Sequence, residues 1–147
     1  MDTILVVCVG NICRSPLAEA LLKLRLPDKS IWSAGLAARI GEPAHPLVLE
    51  VAAAHGLDLS QHRARQINSW MCSKADLILV MDVAQKRQLE KTYPLARGKI
   101  RCIGDVSPTE FFQIADPYQQ PRSIFESVHI AIDRGVNHWA HRIKLLG

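Results

Sequence analysis

Residues 3–9 read Thr-Ile-Leu-Val-Val-Cys-Val, a β-branched and almost unbroken apolar run with no polar alternate. A strand with one wet face alternates apolar and polar side chains, so such a run fits a strand buried on both faces, as in the interior of a parallel sheet. Residues 76–81 repeat the pattern through Leu77, Ile78, Leu79 and Val80. Interior parallel strands need helices above and below them. Residues 16–24, residues 46–55 stopped by Gly56, and residues 83–93 stopped by Pro94 each read as a helix. The segment Arg122–Leu146 sets Ile124, Val128, Ala131, Ile132, Val136, Trp139 and Ile143 at helical intervals, with Glu126, Asp133, Arg134 and Arg142 on its other face. Shorter strands at residues 30–34 and 99–103 complete the alternation. The expectation is an α/β fold, a single domain over residues 1–147 with a four-stranded parallel sheet and helices on both faces. A chain of 147 residues can build one continuous core without disulfides or metal, and no repeat, low-complexity tract or linker divides it.

In open α/β sheets, ligands bind beyond the carboxyl ends of the strands. The first apolar run delivers Cys8-Val9-Gly10-Asn11-Ile12-Cys13-Arg14-Ser15 to that place. Gly10 and Asn11 are the residue types most tolerant of positive φ, so the backbone can curl and turn its N–H groups inward as an anion nest. Ser15 and Pro16 read as an N-cap and a first helical residue, so the loop opens onto a helix N-terminus. A phosphate held there meets backbone donors, the positive helix end and the planar Arg14 guanidinium. In such a setting a cysteine has its pKa brought from about 8.5 into a range of roughly 3.5 to 7.5, which makes Cys8 the candidate nucleophile. Its attack on phosphorus gives a phosphocysteine that water hydrolyses in a second step. The leaving oxygen needs a proton, and Asp116-Pro117-Tyr118 offers a carboxyl restrained by the following proline. Spacing alone does not bring Asp116 to Cys8, because the two are far apart in sequence.

Lysine and arginine exceed aspartate and glutamate by 18 to 14, but they are scattered rather than clustered. This suits an anionic substrate and argues against nucleic-acid binding. No cationic segment precedes the first apolar run, and no apolar stretch is long enough to span a bilayer, so the expectation is a cytoplasmic protein not inserted in a membrane. The four cysteines, Cys8, Cys13, Cys72 and Cys102, contain no C-x-x-C pair and fit neither a zinc cage nor a secreted disulfide framework. No metal and no cofactor is expected.

The stretch from Ile4 through Cys8-Val9-Gly10-Asn11-Ile12-Cys13-Arg14-Ser15-Pro16 resembles the start of a low-molecular-weight protein tyrosine phosphatase, and Asp116-Pro117-Tyr118 resembles that family's general-acid loop. Ser33-Ala34-Gly35, His62-Arg63-Ala64-Arg65-Gln66 and residues 76–82 extend the similarity in family order over most of the chain. The resemblance implies that Cys8 attacks phosphotyrosine, Arg14 binds the phosphoryl group and Asp116 serves as acid and then base, without metal. It also implies that Asn11 is held in strained backbone by a network with Ser15, Ser33 and His62, and that Tyr118 packs on a substrate ring. Where the family often has a second aromatic after that tyrosine, this chain has Gln119. The sequence is most similar to bacterial members linked to capsule or exopolysaccharide export. The implied partner is a tyrosine-phosphorylated membrane kinase of polysaccharide assembly.

Other chemistry-bearing residues have simpler readings. Cys13 either fills space behind the loop or forms a reversible disulfide with Cys8. Cys72 and Cys102 read as buried packing residues. Asp82, after a strand and before a helix, reads as an N-cap, and His62 as a satisfied polar group rather than a proton carrier. His45, His55, His129, His138 and His141 lack ligand spacing and read as surface residues. Trp32, Trp70 and Trp139 read as structural aromatics, the latter two buried or partly so, and Arg63 and Arg65 as a solvated face. An arsenate reductase shares this kind of loop but needs two further cysteines close together, which Cys72 and Cys102 are not. A phosphate-binding module without turnover would need neither the Cys8 thiol nor Asp116. A nucleotide-hydrolysing P-loop would end in Gly-Lys-Ser/Thr, which is absent.

Overall fold

Strand β1 (Thr3–Cys8) is buried along its whole length, and its successive side chains feed two different cores. Ile4, Val6 and Cys8 enter one cluster, and Leu5 and Val7 enter the other. The period-two geometry of a strand thus turns an unbroken apolar run into two apolar faces. Each fully buried Ile, Leu or Val side chain contributes roughly 1.5–3 kcal/mol relative to exposure.

The computed structural model describes residues 1–146. After β1 come α1 (Arg14–Arg25), β2 (Ser30–Gly35), α2 (Pro46–Ala54), α3 (Ser69–Lys74), β3 (Leu77–Val80) and α4 (Val83–Thr92). A 3-10 turn (Pro94–Lys99), β4 (Ile100–Cys102), β5 (Asp105–Ser107), β6 (Glu110–Phe111) and α5 (Arg122–Leu146) complete the chain. The four-stranded sheet has the order β2-β1-β3-β4 and is parallel throughout, with Cys8 opposite Gly35 and Val6 opposite Leu79. Leu17, Val48, Ile132 and Trp139 place α1, α2 and α5 on one face, and Met71 and Leu89 place α3 and α4 on the other. The strand order reverses at β1 and β3, so the loops after those two strands flank the crevice where such sheets bind ligands.

The α5 stripe is as its spacing predicts. Val128, Ile132, Val136, Trp139 and Ile143 are buried, and the Trp139 indole donates to the Ile103 carbonyl at 3.1 Å. Cys72 and Cys102 are buried. No helix among the described residues is long and apolar enough to cross a membrane.

Several local expectations need correction. Helix α1 begins at Arg14, so Ser15 is not its N-cap and Pro16 is not its first residue. Proline is tolerated there because the first-turn N–H groups have no intrahelical acceptor anyway. Helix α3 and the β5–β6 hairpin lie outside the expected elements, since six and two-to-three residues are too short for a periodic signal. The last sheet strand is Ile100–Cys102, because the 3-10 turn consumes Lys99 at one end and the pairing with β3 stops at Val80 and Cys102 at the other. Trp70 is exposed and stacks on Trp32 at 5.5 Å, because α3 turns Met71 and Cys72 inward instead. His129 is buried rather than superficial, its ring stacked at 3.9 Å on His55. His45 is half-buried, accepting from Leu47 N–H to cap α2, and His138 is half-buried too.

Candidate active site

The loop after β1 is curled by what its carbonyls bind. The Cys8, Val9 and Gly10 carbonyls accept from the N–H groups of Leu36, Ala37 and Arg39, and the Ile12 carbonyl accepts from His45 N–H, all at 2.9–3.0 Å. The Asn11 carbonyl lies 2.6 Å from His62 Nε2, which as the partner of a carbonyl must carry the ring proton. In a trans peptide the carbonyl of one residue and the N–H of the next point in opposite directions. With five successive carbonyls directed outward, the N–H groups that follow them are directed inward, which is the anion nest. Of the two residues expected to supply positive φ, only Asn11 does so, at +58°. Gly10 does not. Gly35 is required sterically, since a Cβ there would lie 2.6 Å from the Val9 carbonyl oxygen.

Asn11 is fully buried, and its hydrogen bonds fix which way its amide faces. Its Oδ1 accepts from Arg65 N–H at 2.9 Å, so its Nδ2 donates to Ser15 Oγ at 2.7 Å and to Ser33 Oγ at 3.0 Å. Ser33 in turn donates to Glu19. Ser15 Oγ lies 2.9 Å from Cys8 Sγ, and with Asn11 donating to it the hydroxyl keeps its own proton free to donate to that sulfur once the sulfur is a thiolate. The Ser15 N–H also reaches that sulfur, at 3.5 Å. A polar chain Glu19, Ser33, Asn11, Ser15 therefore ends on Cys8, orienting a donor at the place where a negative sulfur would sit.

Arg14 is buried and braced from the far end of the chain. Its Nη1 donates to the Ile114 carbonyl at 2.9 Å, and its guanidinium stands 3.8 Å from carboxylate oxygens of both Asp82 and Asp116. Asp82 caps α4 as expected, accepting from Gln85 N–H at 2.8 Å, and so brings the end of β3 to the same guanidinium. The segment carrying Asp116 continues from Ile114, whose N–H binds the Met81 carbonyl at the end of β3. This crossing closes the long sequence separation.

Cys8, Val9, Gly10, Ile12, Cys13, Arg14, Asp116 and Tyr118 line one cavity of about 200 Å3, together with Ala37 and Arg39. The floor is buried and polar, while the mouth carries Val9, Tyr118 and the carboxyl of Asp116 partly open to solvent. Asn11, Ser15, Ser33 and His62 sit beneath it as one hydrogen-bonded group. Burial above all, and then the charge of Cys8, push the Cys13 thiol up to about 12, so at neutral pH it is an uncharged thiol beside the loop. Such a floor suits a tetrahedral oxyanion. Among the described residues, no group of three or more His, Cys, Asp or Glu side chains is placed to hold a metal ion.

Four contributors escape the sequence reading. Glu19 lies one helical turn after Ser15, a spacing that could have flagged it. Arg65 is more than a solvated arginine, because its backbone fixes the Asn11 amide and its Nε donates to the Ser33 carbonyl at 2.9 Å. His45 meets the Tyr118 ring edge-on at 6.0 Å. Arg39 binds the Tyr118 hydroxyl at 2.8 Å. The last three act across loops and leave no local pattern.

Known proteins resemble this chain along nearly its whole length. The profile of the low molecular weight phosphotyrosine protein phosphatases matches residues 3–145. The probable low molecular weight protein-tyrosine-phosphatase EpsP of Ralstonia nicotianae is 50% identical over 147 residues, covering 100% of this chain and 99% of that protein. The low molecular weight protein-tyrosine-phosphatase Wzb of Escherichia coli K12 is 42% identical over 143 residues, 97% of this chain and 96% of Wzb. A solved structure of Vibrio vulnificus Wzb in complex with benzylphosphonate superposes with a TM-score of 0.90 at 41% identity, covering 96% of this chain and 98% of that one. With its sequence matched almost end to end and its fold shared, the chain belongs to the low molecular weight phosphotyrosine protein phosphatase family.

Proposed function

We propose that this phosphatase hydrolyses phosphotyrosine through a phosphocysteine, with Cys8 as nucleophile, Arg14 as phosphoryl clamp and Asp116 as general acid and then base. The observation that carries this reading is the convergence of those three side chains on one cavity. In the first step the Cys8 thiolate forms an S–P bond as the P–O bond to the tyrosine ring breaks, and protonated Asp116 gives its proton to the departing phenolate. The inward N–H groups and the Arg14 fork hold the three equatorial oxygens, where charge lies in the transition state. In the second step Asp116 takes a proton from water, the water oxygen bonds to phosphorus, and the S–P bond breaks to return the thiolate and free phosphate. The Ser15 hydroxyl stabilises sulfur each time it carries the charge.

Tyr118 forms one wall for the substrate ring, and the apolar side chain of Ile12 lies within the same cavity. The benzyl group of the ligand in the Vibrio relative is consistent with an aromatic phosphoryl substrate here. The names EpsP and Wzb among the relatives support placing this enzyme in the branch that serves capsule or exopolysaccharide export. Its partner is then a tyrosine-phosphorylated membrane kinase of polysaccharide assembly, met from the cytoplasmic side.

Two experiments test these assignments. Asp116→Ala should lower kcat/KM for phosphotyrosine peptides by about 10²- to 10⁴-fold. It should change much less the hydrolysis of esters whose leaving group needs no proton, and equal losses would remove Asp116 from the acid role. Trapping with Cys8→Ser in the native lysate should capture a tyrosine-phosphorylated membrane kinase. Capture of only unrelated phosphoproteins would reject the partner.

A further inference from the structure

The cavity mouth is crossed by a strap whose outer half, Glu42 and Arg39, the mechanism above does not use. Arg39 lies on the segment that follows β2, and its N–H is bonded to the Gly10 carbonyl at 3.0 Å, which anchors it to the phosphate loop. The stem of Arg39 packs over Gly10, where a Cβ would stand 3.7 Å from its Cγ. From there the guanidinium forks. Nε donates to Glu42 at 2.6 Å, and Nη1 donates to the Tyr118 hydroxyl at 2.8 Å. Tyr118 in turn donates its backbone N–H to the Asp116 carboxylate at 3.1 Å, whose other oxygen faces Arg14. One continuous path therefore runs from Glu42 through Arg39, Tyr118 and Asp116 to Arg14, joining the two sides of the mouth.

The acid loop needs such a tether. Just after Tyr118 the chain turns at Gln119 with φ of +64°, left-handed backbone that a non-glycine residue adopts at a cost. Inside the loop the turn is held by a bond from Gln120 N–H to the Pro117 carbonyl at 2.9 Å, and across the mouth by Arg39. Gln119 stands where the family often has a second aromatic, so Tyr118 has no ring neighbour on that side of its own loop. Its supports are the Arg39 fork and the edge contact with His45.

We infer that Arg39, steered by Glu42, is a positioning residue for the phosphatase reaction, fixing the Tyr118 wall and through it the acid carboxylate over the phosphate loop. Its effect on proton transfer presupposes Asp116 as the donor proposed above, whereas its effect on the ring wall does not. A fork suits this place because two separate nitrogens of one planar group, Nε and Nη1, reach Glu42 and Tyr118, a spacing that a single ammonium nitrogen does not reproduce. Arg39 touches no phosphoryl oxygen in this scheme, so variants that keep its charge should leave anion binding in the floor as it is.

The test is a double-mutant cycle with steady-state kinetics on a phosphotyrosine peptide, using Arg39→Ala, Arg39→Lys, Tyr118→Phe and the double variant Arg39→Ala with Tyr118→Phe. Each single variant, lysine included, should lower kcat/KM by about 3- to 10-fold, the range of one hydrogen bond. The double variant should be no worse than either single, because both remove the same bond. In Arg39→Lys and Tyr118→Phe, which keep the charge, inhibition by inorganic phosphate and the thermal midpoint should stay at wild-type values. Independent, multiplicative losses, full rescue by lysine or weakened phosphate inhibition in those two variants would each overturn the strap. The leaving-group comparison on Asp116→Ala judges the acid assignment separately. Its failure with coupling intact would leave Arg39 as a setter of the ring wall alone.

Discussion

The hydroxyl of Ser15 stands 2.9 Å from the sulfur of Cys8, and both side chains are buried. Asn11 donates to the hydroxyl from the other side at 2.7 Å, which leaves the hydroxyl proton free, and toward a thiolate, which has no proton of its own, the oxygen is the donor. This donor is worth most when the sulfur is charged, before attack and again when it leaves phosphorus.

Ser15→Ala should therefore lower kcat by about 10- to 100-fold, since a hydrogen bond to a charged group is worth roughly 1.5–3 kcal/mol. Expulsion of the sulfur from the phosphocysteine should become limiting. Stopped-flow release of an aryl leaving group should then show an undiminished burst followed by a slower steady rate. A variant with the wild-type kcat would separate the hydroxyl from the chemistry.

Gly35 pairs with Cys8 at the end of the sheet, where a Cβ would meet the Val9 carbonyl at 2.6 Å and Ala38 at 3.0 Å. Its neighbours are mainly backbone and have no rotamer with which to yield. Gly35→Ala should cost about 1–3 kcal/mol in a urea titration, with activity reduced because the phosphate loop is the part displaced. An unchanged midpoint and unchanged kcat would show that the contact relaxes freely.

Acid should weaken the fold through His129. Burial first, then the neighbouring His55, lower its pKa from the ordinary value of 6.5, so the unfolded chain takes up a proton that the folded chain refuses. This contribution is fully present above pH 6.5 and is lost as pH falls below it toward the folded pKa. The urea midpoint should decline below pH 6.5, and His129→Leu should flatten that decline. An equally steep decline in the variant would assign the effect to other groups.

What the sequence made legible was local. The unbroken run in β1 announced the parallel sheet, and the eight residues 8–15 suggested an anion nest, because curl, charge and the candidate nucleophile are consecutive there. The α5 stripe was readable because 25 residues give a period several chances to repeat. What stayed hidden was either short or held by distant partners. Helix α3 has six residues, and the direction of Trp70 depends on which of its neighbours the sheet buries. Ser15 carried the look of an N-cap, yet the fold uses its hydroxyl on Cys8. Arg39 has no sequence feature that joins it to Tyr118, and Asp116 reaches the loop only because Ile114 hydrogen-bonds to both Met81 and Arg14.

In the proposed reaction Cys8 becomes phosphorylated during turnover. Rapid acid quench of the enzyme with an excess of phosphorus-labelled aryl phosphate measures it directly. Wild-type protein should carry close to one equivalent of label on Cys8 within the burst, while Cys8→Ser should bind inorganic phosphate yet show neither label nor turnover. Turnover by Cys8→Ser, or a wild-type reaction with no labelled protein at any quench time and no burst, would rule out a phosphocysteine on Cys8.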